Sequence, residues 1–104
     1  MQYELRTYVA APGRLAELLT RFRRHTDALF RRHGILPVGY WTTTEDEQKL
    51  VYLLRHTQDP ETAWAAFKAD PEWVRVRTES EANGPLTMSI TSTFLTPTDF
   101  SDLR

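Results

Sequence analysis

The sequence predicts one α+β domain of βαββαβ order: a ferredoxin-like, four-stranded antiparallel sheet with its helices on one face. Three observations predict it. Strand-type and helix-type segments follow one another in that order over 104 residues, a length that holds one core and not two. Turn and cap residues stand at the boundaries between those segments. The two middle strands are joined by a short polar turn while the outer connections run through helices, and helices that return on one side place all four strands in a single sheet.

Residues 2–9 mix β-formers with alternating polarity and stop at Ala10-Ala11-Pro12-Gly13, a turn signal. Pro12 suits the first turn of a helix. Leu15, Leu18, Leu19, Phe22, Thr26, Leu29 and His33 then recur at steps of three and four, one face of a helix. Gly34 closes it, and Arg31, Arg32 and His33 complement the negative end of its dipole. Residues 35–43 and 49–56 read as strands joined by Thr44-Glu45-Asp46-Glu47-Gln48, so they pair antiparallel. Asp59-Pro60-Glu61 opens a helix with an acidic cap followed by a first-turn proline, and Asp70-Pro71-Glu72 repeats the device. A proline breaks an ongoing helix, so two short helices over 60–69 and 71–82 meet at a kink. Asn83-Gly84-Pro85 ends the second, residues 86–96 form the last strand, and a tail begins at Pro97. The whole chain, 1–104, is one domain.

Hydrophobic residues at 40% and charged residues at 26% describe a chain that folds. Its formal net charge of -1 provides no field that would recruit nucleic acid or an anionic membrane. Arginines 21, 23, 24, 31 and 32 read as a solvated helix face, because Glu17 and Asp27 stand four residues before Arg21 and Arg31. The absence of cysteine excludes disulfides, thiolate metal sites and thiol nucleophiles. Strand-like residues begin at Gln2 in place of a secretory leader, and no apolar run approaches the roughly 18 residues of a membrane span. A cytoplasmic protein is expected.

The strands carry apolar side chains on both parities, which one set of helices cannot cover. Leu50, Tyr52 and Leu54 alternate with Val51 and Leu53; Leu36, Val38 and Tyr40 alternate with Ile35, Pro37 and Trp41. Leaving such side chains in water forfeits about 1.5 to 3 kcal/mol each, so a homodimer packed sheet on sheet is expected. The alternative is that the tail, with Phe100 and Leu103, folds over the open face.

Several segments together resemble the NIPSNAP domain, a branch of the dimeric α/β-barrel superfamily. They are Tyr3-Glu4-Leu5-Arg6-Thr7-Tyr8, His33-Gly34-Ile35 with Val38-Gly39-Tyr40-Trp41, Leu50-Val51-Tyr52-Leu53, Trp64-Ala65-Ala66-Phe67, Asp70-Pro71-Glu72-Trp73, and Phe94 to Ser101. The resemblance spans nearly the whole chain and implies a homodimer whose two sheets close into a barrel with helices outside. It implies little chemistry: the wider superfamily includes cofactor-free monooxygenases, haem-degrading enzymes and isomerases.

The residues themselves narrow the chemistry further. Histidine suits proton transfer near neutral pH; His25 borders the buried helix stripe and can point into a cavity between helix and sheet, while His33 reads as a dipole partner. His56 ends a strand, either as surface polarity or at a pocket mouth. No pair of histidines or acidic loop has metal-ligand spacing, and no glycine-rich phosphate loop occurs, so neither metal nor cofactor is expected. Lys49-Leu50-Val51-Tyr52-Leu53 lacks the aromatic motif of RNA-recognition strands. What remains is Arg6, Tyr8, Tyr40, Tyr52, Trp64, Phe67 and Trp73, a set with either core or pocket composition. Arg6, mid-strand in a sheet buried on both faces, needs a partner: Glu4, Glu79, or a bound carboxylate or phenolate.

Three functions follow as expectations. The first is a homodimeric protein binding a small aromatic or acidic molecule between sheet and helices, with Arg6, Tyr8, Tyr52, His56, Trp64, Phe67 and Trp73 at the pocket. The second is a cofactor-independent monooxygenase or isomerase on a phenolic or polyketide-like substrate, with His25 or Tyr40 as proton acceptor. The third is a structural interaction module without a ligand.

Overall fold

In the computed structural model, which describes residues 2–104, the first strand β1 runs Gln2–Ala10. Helix α1 (Leu15–Arg21) continues through a π-helical turn, Phe22–Thr26, into α2 (Asp27–Arg32). Strands β2 (Ile35–Thr42) and β3 (Lys49–His56) form the hairpin, α3 (Pro60–Ala69) and α4 (Pro71–Ser80) follow, and β4 (Thr87–Leu95) completes the order. The sheet order is β2-β3-β1-β4 with every neighbour antiparallel, as the βαββαβ reading requires.

The caps behave as their residues dictate. The Asp59 carboxylate accepts from the Thr62 amide at 3.0 Å and the Asp70 carboxylate from the Glu72 amide at 2.9 Å, each ahead of a first-turn proline. Gly34 has φ +73, and a β-carbon there would stand 2.7 Å from Thr57 Oγ1, so both backbone and neighbour require glycine.

Three details depart from the sequence reading. Pro12 lies in the turn before the first helix, which starts only at Leu15. The long helix is interrupted by the π turn, where the Asp27 amide reaches back to the Phe22 carbonyl. The widened turn adds a residue to the helix circumference, and Arg21 and Phe22 are both turned inward and buried. A third departure is in β2: Val38 is the extra residue of a bulge, since Pro37 pairs with Leu54 and Gly39 with Leu53. Ile35, Pro37 and Tyr40 therefore share the helix side, and Val38 does not share a face with Tyr40 by simple alternation.

The core lies between this side of the sheet and the helices, around Leu18, Phe22, Leu29, Phe30, Ile35, Leu50, Tyr52, Leu54 and Phe67. Residues of β3 alternate strictly between buried (Leu50, Tyr52, Leu54, His56) and half-buried (Lys49, Val51, Leu53, Arg55). On the opposite side of the sheet, Leu5 is 37% and Trp41 54% exposed within the single chain. The tail crosses one end of that side, where Tyr3, Leu53, Leu95, Pro97 and Leu103 line a shallow hollow. Phe100 stands out into solvent, so the tail covers Tyr3 and not the face as a whole.

Candidate functional site

The alternation of β1 places Glu4, Arg6 and Tyr8 on the helix side, opposite Leu54, Tyr52 and Leu50 of β3 and Phe94, Ser92 and Ile90 of β4. Glu4 is 1% exposed. A buried carboxylate must be compensated, and this one is: His56 Nε2 lies 2.7 Å and Trp64 Nε1 2.8 Å from Oε1, Arg6 Nη1 3.0 Å from Oε2, and the Ser92 hydroxyl also donates to Oε2. Burial pushes its pKa up, but the bonds from His56, Ser92, Trp64 and Arg6 outweigh burial and bring it down to about 2.

Arg6 is the hub of the network. Its Nε donates to the Tyr52 hydroxyl at 2.8 Å, Nη1 to Glu4, and Nη2 to the Tyr8 hydroxyl at 3.2 Å. Burial opposes its charge, yet the phenols of Tyr52 and Tyr8 and the Glu4 carboxylate overcome that and hold its pKa above the ordinary arginine range. A guanidinium has five N–H groups; these three bonds use one on each nitrogen, leaving a proton on Nη1 and another on Nη2. Burial, with Tyr8 adding to it, keeps the Tyr52 phenol well above the usual tyrosine range despite the neighbouring Arg6. The sequence left Glu4 and Glu79 open as partners of Arg6; the partner is Glu4.

Above this network lies a cavity of about 600 Å³ between the β1–β4 part of the sheet and helices α3 and α4. Arg6 and Tyr8 line its floor, and Trp64, Phe67 and Trp73 its wall. Five of the nine residues singled out from sequence therefore meet at one cavity. Tyr52 and His56 do not line it; from the adjacent strand Tyr52 bonds Arg6, and His56 bonds Glu4. His56 is wholly buried and its Nδ1 has no partner, so it supports Glu4 from below and is not at a pocket mouth.

The other two are elsewhere. His25 lies in a groove between α1 and α4 with Thr20, Val76 and Glu79, on the outer side of the helices. It does not reach between helix and sheet: within the π turn the buried residues are Phe22 and Thr26, both on the inward stripe, and His25 lies beside that stripe on the α4 side. Tyr40 packs against the Tyr52 ring at 5.4 Å but lines a separate hollow with Leu19, Phe22 and Asp27. Its hydroxyl donates to Asp27 Oδ1 at 2.8 Å, and burial together with that carboxylate pushes its pKa well above the usual range. A phenol held protonated in this way is a poor proton acceptor.

Arg21 was not singled out from the sequence, and it belongs to the cavity lining. Its i+4 spacing from Glu17 suggested a solvent-exposed pair, but Glu17 bonds Arg14 at 2.6 Å. Arg21 turns inward to Ser80 at 3.2 Å and Glu81 at 3.0 Å. Its position three residues after Leu18 was the available signal. Lys68 and Arg77 add further positive charge to the lining. Among the described residues no group of three or more histidine or carboxylate side chains is placed to hold a metal ion, and no helix is long and apolar enough to cross a membrane.

A family model described as NIPSNAP matches residues 3–102. A NIPSNAP family protein of unknown function from Agrobacterium tumefaciens superposes with a TM-score of 0.84 at 22% identity, over 100% of this chain and 94% of that one. A NIPSNAP-like domain protein from Burkholderia xenovorans, also uncharacterized, superposes at 0.80 with 25% identity, over 96% and 87% of the two chains. The fold also resembles SnoaB, a cofactor-independent oxygenase from Streptomyces nogalater, with a TM-score of 0.65, 18% identity and 92% and 91% coverage. No curated protein matches the chain.

Proposed function

Since the chain belongs to the NIPSNAP family, whose solved members here have no stated reaction, we propose from its own site that it is a homodimeric protein binding a small acidic aromatic molecule. The binding site is the cavity between sheet and helices, one in each copy. The observation that carries this reading is Arg6 on the cavity floor, with a proton left on each Nη nitrogen and a wall of Trp64, Phe67 and Trp73 beside it. A guanidinium edge matches a carboxylate or phenolate, and the rings match the body that carries it. Glu4 already offsets one charge, yet the lining adds Arg21, Lys68 and Arg77 against Glu81 alone, so an anion is favoured. The lining holds cations and rings and no unpaired carboxylate or imidazole, which suits gripping an acid better than moving a proton. The outer face of the sheet, with Leu5 and Trp41 open to water, supports a second copy as its cover.

The test is calorimetric titration of the protein with benzoate and a hydroxybenzoate, alongside Arg6→Gln. Saturable binding by the wild type, weakened about tenfold or more in the variant, is the expected result, since a bond to a charged group is worth about 1.5 to 3 kcal/mol. Affinity unchanged in a folded Arg6→Gln protein would remove Arg6 from the site. A wild type that binds neither acid would end the binding reading.

A further inference from the structure

We propose that the cavity is built for an aromatic or conjugated molecule with two anionic groups, Arg6 receiving one and Arg21 the other. This rests on the binding reading above and assigns the substrate class and a second anchor. Arg21 lines the cavity although its side chain is 6% exposed. Its Nη1 is engaged by Ser80 and Glu81, but its Nε is buried with no partner. Buried donors on charged groups are seldom left unpaired, because the desolvation cost falls on them in full. Nη2 makes no bond and is not sealed off as Nε is, so a carboxylate in the cavity would meet Nη2 and bring matching charge to the whole guanidinium.

The charge count points the same way. Glu81 is shared: its Oε2 lies 3.0 Å from Arg21 Nη1 and 3.7 Å from Arg77 Nε. One carboxylate thus faces two guanidiniums, and this end of the cavity keeps a surplus positive charge without help from Arg6. Along the wall, three aromatic rings stand between this surplus and Arg6. The Arg6 guanidinium carbon lies 4.4 Å from the Trp64 ring centre, Trp64 is followed by Phe67 at 5.6 Å and Phe67 by Trp73 at 4.8 Å, and the Arg21 guanidinium carbon lies 5.1 Å from the Trp73 ring. Three rings in edge-on and tilted contact, with one guanidinium against the first and another against the last, form an aromatic wall between two anion receptors. A ligand with one anionic end would satisfy only one of them.

Arg21 faces inward from the last turn of α1, three residues after the buried Leu18 and just ahead of the π turn that begins at Phe22. A purely structural role for Arg21, tying α1 to the end of α4, makes a different prediction. It would change stability and leave the preference among ligands untouched.

The experiment compares matched acids on the full-length protein by isothermal titration: benzoate against terephthalate, and naphthoate against naphthalene dicarboxylate. In the wild type the dicarboxylate of at least one pair should bind about tenfold tighter than its monocarboxylate, the effect of one added charged hydrogen bond. Arg21→Gln should erase that preference, lowering dicarboxylate affinity about tenfold more than monocarboxylate affinity. Equal affinities for both members of each pair in the wild type, or the same preference in folded Arg21→Gln, would overturn the second anchor and leave the binding reading standing. Failure of the wild type to bind any of the four would overturn both. If Arg21→Gln does not fold, the wild-type comparison decides alone.

Discussion

The Arg6 guanidinium carbon stands 4.4 Å from the centre of the Trp64 indole, and the same indole donates its N–H to Glu4 at 2.8 Å, so Trp64 holds both members of the Glu4–Arg6 ion pair. Trp64→Phe keeps a ring beside Arg6 and removes one of four donors from a buried carboxylate. The expected cost is about 1.5 to 3 kcal/mol, the range for a bond to a charged group. Urea unfolding followed by far-ultraviolet dichroism measures it, and an unshifted midpoint would show that the indole N–H contributes nothing.

Glu4 itself sets an acid limit on stability. Its pKa is about 2 in the folded protein against 4.5 for an unperturbed glutamate. A depressed folded value means stability that is complete above pH 4.5 and lost as pH falls towards 2. The contribution is on the order of 3 kcal/mol, read from the size of that shift. Glu4→Gln should be less stable at neutral pH, because an amide cannot serve His56, Ser92, Trp64 and Arg6 together and a buried guanidinium loses its counter-charge. It should also show a flatter loss of urea midpoint between pH 4.5 and 2 than the wild type. Parallel pH curves for the two proteins would contradict this role for Glu4.

Most of the fold could be read in the chain because its boundaries are written in local chemistry: the Asp-Pro-Glu pairs at 59–61 and 70–72 and Gly34 each have one conformation they suit. The composition of the site was also legible. Arg6, Tyr8, Trp64, Phe67 and Trp73 stood out as an aromatic and charged set of either core or pocket composition, and the cavity gathers all five. What failed rests on single-residue insertions, which periodicity cannot register. The π turn interrupts the helix at His25, which lies in the groove with α4, and the bulge at Val38 changed which residues share a side with Tyr40, whereas Arg21 was readable from its spacing to Leu18. Each insertion is stabilised by tertiary packing, so the local sequence carries no mark of it.

His25 and Tyr40 should therefore be dispensable for ligand binding. His25→Ala removes an imidazole that lies in the groove between α1 and α4. Tyr40→Phe removes a hydrogen bond to Asp27 and keeps the ring against Tyr52. The first should leave benzoate affinity and the thermal midpoint nearly unchanged, and the second should cost about 1 kcal/mol of stability without altering affinity. A large loss of affinity in either, with the fold intact, would return a proton-acceptor role to these residues.

The second copy is the remaining expectation, and Leu5 is where it can be tested. Leu5 pairs with Leu53 on one side and Thr93 on the other, in the middle of the sheet face turned away from the helices. It is 37% exposed in the single chain, so a polar residue there costs the isolated fold little. Across a two-fold interface the same substitution appears twice and buries two carboxylates against an apolar surface without partners. Leu5→Glu should thus keep its far-ultraviolet spectrum and sediment as a 12.1 kDa particle, while the wild type sediments at twice that mass at micromolar concentration. Trp41, paired with Val51 nearer the sheet edge, should give a weaker effect as Trp41→Glu, because rim positions remain partly hydrated and contribute less. A wild type that sediments as one 12.1 kDa chain would mean the face around Leu5 stays in water, and the homodimer would be wrong.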